Sequence, residues 1–109
     1  MARRKPLLTV TIAPRASDEL EQIWRYNALH RGVKQADSYE AFLKGHLFAL
    51  NFNDGSGKVI ETTPALRYIT INRHSRSDGH VAVYRVDAEA KNVRVLHVFH
   101  TKQDWQNKL

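Results

Sequence analysis

Six residues of this chain have types and spacings that could do chemistry: Arg67, Tyr84, Arg85, Arg94, His97 and His100. All lie towards the carboxyl terminus on stretches that alternate like strands, most densely in Arg94-Val95-Leu96-His97-Val98-Phe99-His100. Histidine titrates near neutrality, so it can take a proton from a 2′-hydroxyl and return one to a leaving oxygen. Arginines can stabilise the charge that builds on a phosphorane, and Tyr84 offers a further hydroxyl. The set would suit phosphodiester cleavage. The plainer role, for any one of these histidines, is a solvated or hydrogen-bonded group on a small sheet. His97 and His100 lie three apart, so a regular strand points them to opposite faces. That spacing argues against both serving one phosphate or one metal. His74 and His80 complete the histidine set, but no Asp or Glu accompanies them in a zinc-like pattern. No metal and no cofactor is expected.

Arg67, Arg73, Arg76, Arg85 and Arg94 could also form a patch for a polyanion, or simply a solvated basic face. The formal net charge of +6 favours a polyanionic partner, nucleic acid or an acidic protein, with half of the excess in Arg3, Arg4 and Lys5. A second group is aromatic and looks exposed: Tyr26, Phe48, Phe52, Phe99 and Trp105. Tyr26 and Phe48 fall off the main apolar stripes, where they could meet a partner or fill a helical hairpin's interior. Tyr26, Phe52, Asp104 and Trp105 are the candidate partner-binding residues.

The elements that position these groups are legible from periodicity. Leu8-Thr9-Val10-Thr11-Ile12 alternates as a strand. Pro14 suits the first turn of a helix whose face carries Ala16, Leu20, Ile23, Trp24 and Asn27, with Asp18, Glu19 and Glu21 near its positive end. Gly32 ends it, and a second helix follows at once with a stripe of Ala36, Tyr39, Leu43, Leu47 and Leu50. So short a connection makes the helices antiparallel, and Gly45 is expected to permit their close approach. Phe52 to Gly57 is turn-rich. After Pro64 the period changes from 3.6 to 2, giving strands over Leu66 to Asn72, His80 to Val86 and Val93 to Phe99. The expected fold is α+β: an N-terminal strand, an antiparallel two-helix hairpin and a three-stranded antiparallel meander, with the first strand joining the meander's edge and the hairpin covering one face of a four-stranded antiparallel sheet.

At 109 residues, 42% hydrophobic and 26% charged, residues 1–109 are expected to form a single domain of ordinary globular composition. There are no cysteines, hence no disulfides or thiolate sites. No apolar run approaches the roughly 18 residues of a membrane span. The basic start is followed by too few apolar residues for a signal peptide, so a cytoplasmic protein without membrane contact is expected.

From about Leu8 to Trp105 the chain resembles the ParE/RelE toxins of bacterial type II toxin–antitoxin pairs, and ParE more closely. Pro14-Arg15-Ala16 with Asp18, Leu20, Ile23 and Tyr26 resembles the family's opening helix, and Gly32-Val33, Ala36 and Tyr39 its second. Leu66-Arg67, Tyr84-Arg85-Val86 and the run Arg94 to His100 with Asp104 resemble its later strands and exit. Ser75-Arg76-Ser77-Asp78 looks like an added loop segment, and His97 stands where ParE-like toxins often carry arginine. The resemblance implies a toxin that inhibits DNA gyrase by protein–protein binding and is neutralised by a cognate antitoxin, without enzymatic activity of its own. The alternative it implies is a RelE-like endoribonuclease that cleaves messenger RNA on the ribosome, using Tyr84, His97 and His100 for proton transfer and Arg67, Arg85 and Arg94 for phosphate. Between Pro64 and His100 only Lys91 is a lysine, which counts against it. A third reading is a basic nucleic-acid-binding module built on the arginines.

Overall fold

The change of period at Pro64 separates the helical hairpin from the three-stranded meander; the hairpin forms one layer of the molecule and the meander most of the other. The computed structural model describes residues 7–73 and 79–109. Arg3, Arg4, Lys5, His74 and the segment Ser75 to Asp78 lie outside the described residues.

Strand β1 (Thr9–Ile12) leads into α1 (Pro14–Arg31). Pro14 sits in the first turn as expected, Ala13 supplies no side-chain cap, and the first turn holds no acid. The negative charges expected there thus begin beyond it, at Asp18. Gly32 ends the helix at φ +93°, a conformation that residues with a Cβ rarely adopt, and so lets the chain reverse into α2 (Val33–Phe48). Ala16 and Leu20 of α1 pack with Leu43 and Leu47 of α2 and with Leu50 of the short α3 (Leu50–Asn53). Gly45 does not serve the helix–helix contact: it is exposed, and a Cβ built there would meet nothing within 4 Å.

Among the described residues the sheet has five strands rather than four, in the order β1-β5-β4-β3-β2. The extra strand, β2 (Lys58–Ile60), follows a 3-10 turn (Asp54–Ser56) and pairs antiparallel with β3 (Thr63–Ile71). Three residues are too few for alternation to show in the sequence. β3, β4 (His80–Asp87) and β5 (Asn92–His100) form the expected antiparallel meander. β1 joins its edge, but parallel to β5. The hairpin explains this: α1 leaves the end of β1 and α2 returns past it, so that the Leu8 N–H donates to the Asn51 carbonyl at 2.8 Å. The chain is thereby carried back to the level at which β1 started.

Between β4 and β5 the register shifts. Val83 faces His97 and Tyr84 faces Val95, which leaves Leu96 as an extra residue. The bulge puts Val93, Val95 and Val98 all in the core beneath the hairpin, with Ile71, Ala82 and Tyr84. On the opposite face Val81, Val83 and Phe99 pack with Ile60, Leu66, Tyr68 and Trp105. Trp105 opens a 3-10 turn (Trp105–Lys108) that folds onto that face, its ring 4.9 Å from Tyr68.

Helix α1 has 18 residues and so rises about 27 Å, roughly twice the span of four-residue β1. Its second half, with the first half of α2, overhangs the end of the sheet where β3 and β5 finish and β4 begins. The overhang creates a groove.

Candidate functional site

The six residues singled out in the sequence do not meet at one point. Tyr84 is fully buried, and its hydroxyl donates to the Asp54 carbonyl at 2.7 Å and accepts the Gly57 N–H at 3.0 Å. Burial raises its pKa above the ordinary tyrosine value, opposed by the Gly57 hydrogen bond and the Arg67 charge. Arg67 faces Tyr84 across β3 and β4 and donates to the Gly57 carbonyl at 3.0 Å. Both side chains therefore hold the turn before β2 against the sheet. Gly57 is required there, because a Cβ would run into the Tyr84 hydroxyl.

Arg85 and Arg94 face each other across β4 and β5, exposed on the face away from the hairpin. Like charges placed directly opposite are mildly repulsive. Because of the bulge, His97 lies on that same outer face, stacked on Phe99 with ring centroids 4.7 Å apart. Its Nδ1 is buried and lies 3.4 Å from a Glu19 carboxylate oxygen without hydrogen-bond geometry. The same Glu19 oxygen accepts the Val98 N–H at 3.0 Å.

His100 projects to the hairpin side, edge-on to His80 with ring centroids 5.2 Å apart. His80 in turn pairs with α2: its Nδ1 is 2.6 Å from the Tyr39 hydroxyl. Burial, and secondarily the neighbouring His100, lower the pKa of His80 to about 4, so its ring is neutral at pH 7. Tyr39 is pushed up by burial, against the opposing pull of Arg73 and Arg31. Arg73 is held in place by a 2.8 Å hydrogen bond to the Ser38 hydroxyl and by the Phe42 ring, whose centroid lies 5.5 Å from its guanidinium carbon. Ser38, Tyr39, Arg73, His80 and His100 line the groove under the hairpin overhang, a space of about 1300 Å³.

Sequence reasoning put His80 among the histidines but missed Tyr39, Arg31 and Ser38 as its surroundings. One signal was present: Tyr39 is the only member of the α2 stripe with a polar tip. Its partner is 41 residues away, beyond the reach of any local pattern. Among the described residues no group of three or more His, Asp or Glu side chains is placed to hold a metal ion.

The partner-binding candidates also separate. Tyr26 is 62% exposed and Phe52 53%, and Asp104 is on the surface, where its carboxylate accepts from the Asn107 amide at 2.6 Å. Trp105 is only 8% exposed, so its apparent exposure in the sequence is corrected. Its polar neighbours disguise a residue that anchors the tail to the outer sheet face.

The arrangement of strand, overhanging hairpin and bulged meander has a counterpart in sequence. The family model described as the ParE toxin of the type II toxin–antitoxin system parDE matches residues 10–105. The chain belongs to the ParE toxin family. It is 33% identical over 86 residues to Toxin ParE1 of Caulobacter vibrioides, covering 79% of this chain and 84% of that protein. In structure it resembles a chain from the chromosomal ParDE toxin–antitoxin system of P. aeruginosa, with a TM-score of 0.73 and 16% identity over 90% of this chain and 100% of the other. It also resembles a mutant of the E. coli toxin RelE in the free state, with a TM-score of 0.59 and 18% identity over 94% of this chain and 92% of the other. At such identities the two structures establish a shared fold. ParE membership rests on the family match and on ParE1. Among the described residues of this ParE-family chain, no helix is long and apolar enough to cross a membrane.

Proposed function

We propose that this ParE-family chain inhibits DNA gyrase by protein–protein binding, without cleaving nucleic acid, and that a cognate antitoxin neutralises it. One observation carries the preference for binding over cleavage. The residues a nuclease would need are distributed over separate surfaces, and the Tyr84 hydroxyl is fully engaged by the backbone of Asp54 and Gly57. A general acid and base must both come within hydrogen-bond reach of one substrate. His97 and His100 face opposite sides of the sheet, and Tyr84 lies at its other end, beside the turn before β2.

The contact residues on this reading are Tyr26, Phe52 and Asp104, with Trp105 holding the tail that presents Asp104. The net charge of +6 suits an antitoxin segment that is acidic and amphipathic and folds on binding. The Caulobacter ParE1 relative and the P. aeruginosa ParDE system support the toxin–antitoxin assignment. The purified chain should inhibit supercoiling by gyrase, addition of the antitoxin encoded beside it should restore supercoiling, and ribosomes supplied with the chain should leave messenger RNA uncut. Ribosome-dependent cleavage with unaffected gyrase would replace this reading by the endonuclease one.

A further inference from the structure

The groove beneath the hairpin overhang has features that binding a protein target does not require. Three elements place hydrogen-bond donors in it: Arg31 at the end of α1, Arg73 beyond β3, and His100 at the end of β5. Arg73 is pre-organised by Ser38 and the Phe42 ring, which reduces the entropy lost when it grips a ligand. Arg31 makes no ion pair among the described residues. The Lys102 backbone N–H donates to His100 Nδ1 at 3.1 Å. That nitrogen therefore carries no proton, and in the neutral ring the proton sits on Nε2, which becomes a donor. Among the described residues the one carboxylate lining the groove, Glu19, already accepts the Val98 N–H. The site is thus an excess of donors and positive charge.

Three donors converging from different elements match a tetrahedral oxyanion, which offers three outward oxygens, better than a planar carboxylate with two. At about 1300 Å³ the space exceeds what a lone anion fills. On the same wall stands Tyr26, 62% exposed, its ring centroid 4.2 Å from that of His30. An exposed aromatic ring beside a cationic groove is a stacking platform for a base.

We propose that this groove binds nucleotide units, with the phosphoryl group held by Arg31, Arg73 and His100 and the base stacked on Tyr26. The site is on the hairpin side of the sheet, on the face opposite Arg85 and Arg94. It does not depend on gyrase being the target.

Calorimetric titration of the full chain tests it, with adenosine 5′-monophosphate, adenosine, inorganic phosphate, a glutamate-rich peptide and a short single-stranded oligonucleotide as probes. The monophosphate should bind at least about tenfold more tightly than adenosine or phosphate alone. The R31A/R73A double variant should weaken that binding by about tenfold or more, and Y26A by about threefold or more. The R85A/R94A double variant removes the same charge from the opposite face and should change it by less than about twofold. An oligonucleotide bound more tightly than the monophosphate, with a steep salt dependence, assigns the site to a strand; equal affinities assign it to a free nucleotide. Nuclear magnetic resonance of the unmodified chain gives a readout independent of variant folding, since the Tyr26 and His100 ring signals should move on adding the monophosphate. The proposal is overturned if neither the monophosphate nor the oligonucleotide binds, or if both double variants lose binding equally. Equal affinity for the glutamate peptide, or signals that move only near Arg85 and Arg94, would overturn it as well.

Discussion

Tyr84, on β4, and Tyr39, on α2 against the start of β4, mark opposite ends of the interface between helices and sheet and illustrate two uses of a tyrosine hydroxyl. At the Tyr84 end the tyrosine and the arginine both bond to the backbone: the hydroxyl bridges Asp54 and Gly57, and Arg67 takes the Gly57 carbonyl. At the Tyr39 end the hydroxyl meets a titratable ring, His80, whose neighbour His100 lines the groove. Burial raises the pKa of both tyrosines, so that shift alone does not distinguish a structural group from a functional one. What separates them is whether the partner is a backbone amide or a group that can change charge.

The sharpest way to break this contrast is to delete the closed end. Tyr84→Ala removes a fully buried ring and should destabilise the fold by about 3–5 kcal/mol, read from the denaturant midpoint. A loss below about 1 kcal/mol would show that the end is not closed.

Acid titration probes the open end. His80 is neutral in the folded protein down to about pH 4, whereas an unfolded histidine protonates near pH 6.5. Above about pH 6.5 both states are neutral and the full stability is present. As the pH falls towards 4 the unfolded chain binds a proton that the folded one refuses, and about 3 kcal/mol of stability is lost. The His80→Gln variant should show a correspondingly flatter profile between about pH 6.5 and 4. Parallel profiles for the two proteins would contradict the assignment.

Removing only the hydroxyls gives the smaller pair of effects. Tyr84→Phe leaves the Gly57 N–H and the Asp54 carbonyl without their partner and should cost about 1–3 kcal/mol. Tyr39→Phe, at a half-buried position beside open solvent, should cost less than about 1 kcal/mol. Equal losses in chemical denaturation would erase the distinction between the two ends.

Long periodic segments were legible in the sequence because one period dominates each. The stripe through Leu43, Leu47 and Leu50 specifies the hairpin's inner face, and the alternation after Pro64 specifies the meander. Three features depended on contacts that no window spans. β2 is too short to alternate, β1 takes its parallel partner from the other end of the chain, and Trp105 is buried by strands well upstream. The bulge left a trace: Val95 and Val98 both point inward although they are three apart, which a regular strand forbids. That one extra residue sets which arginines share a face with His97. The candidate site was legible only in its parts, since the pairing of Tyr39 with His80 joins a helix to a strand across 41 residues.

The claim that this ParE-family chain acts by binding is tested most directly by growth inhibition on inducing the H97Q/H100Q double variant, once circular dichroism shows that it is folded. A nuclease that uses these histidines for proton transfer should lose at least about 10²-fold in turnover, and growth inhibition with it. The distribution of the two rings over opposite sheet faces leads us to expect growth inhibition equal to that of the unmodified chain. Normal growth of cells carrying the folded double variant would contradict the account.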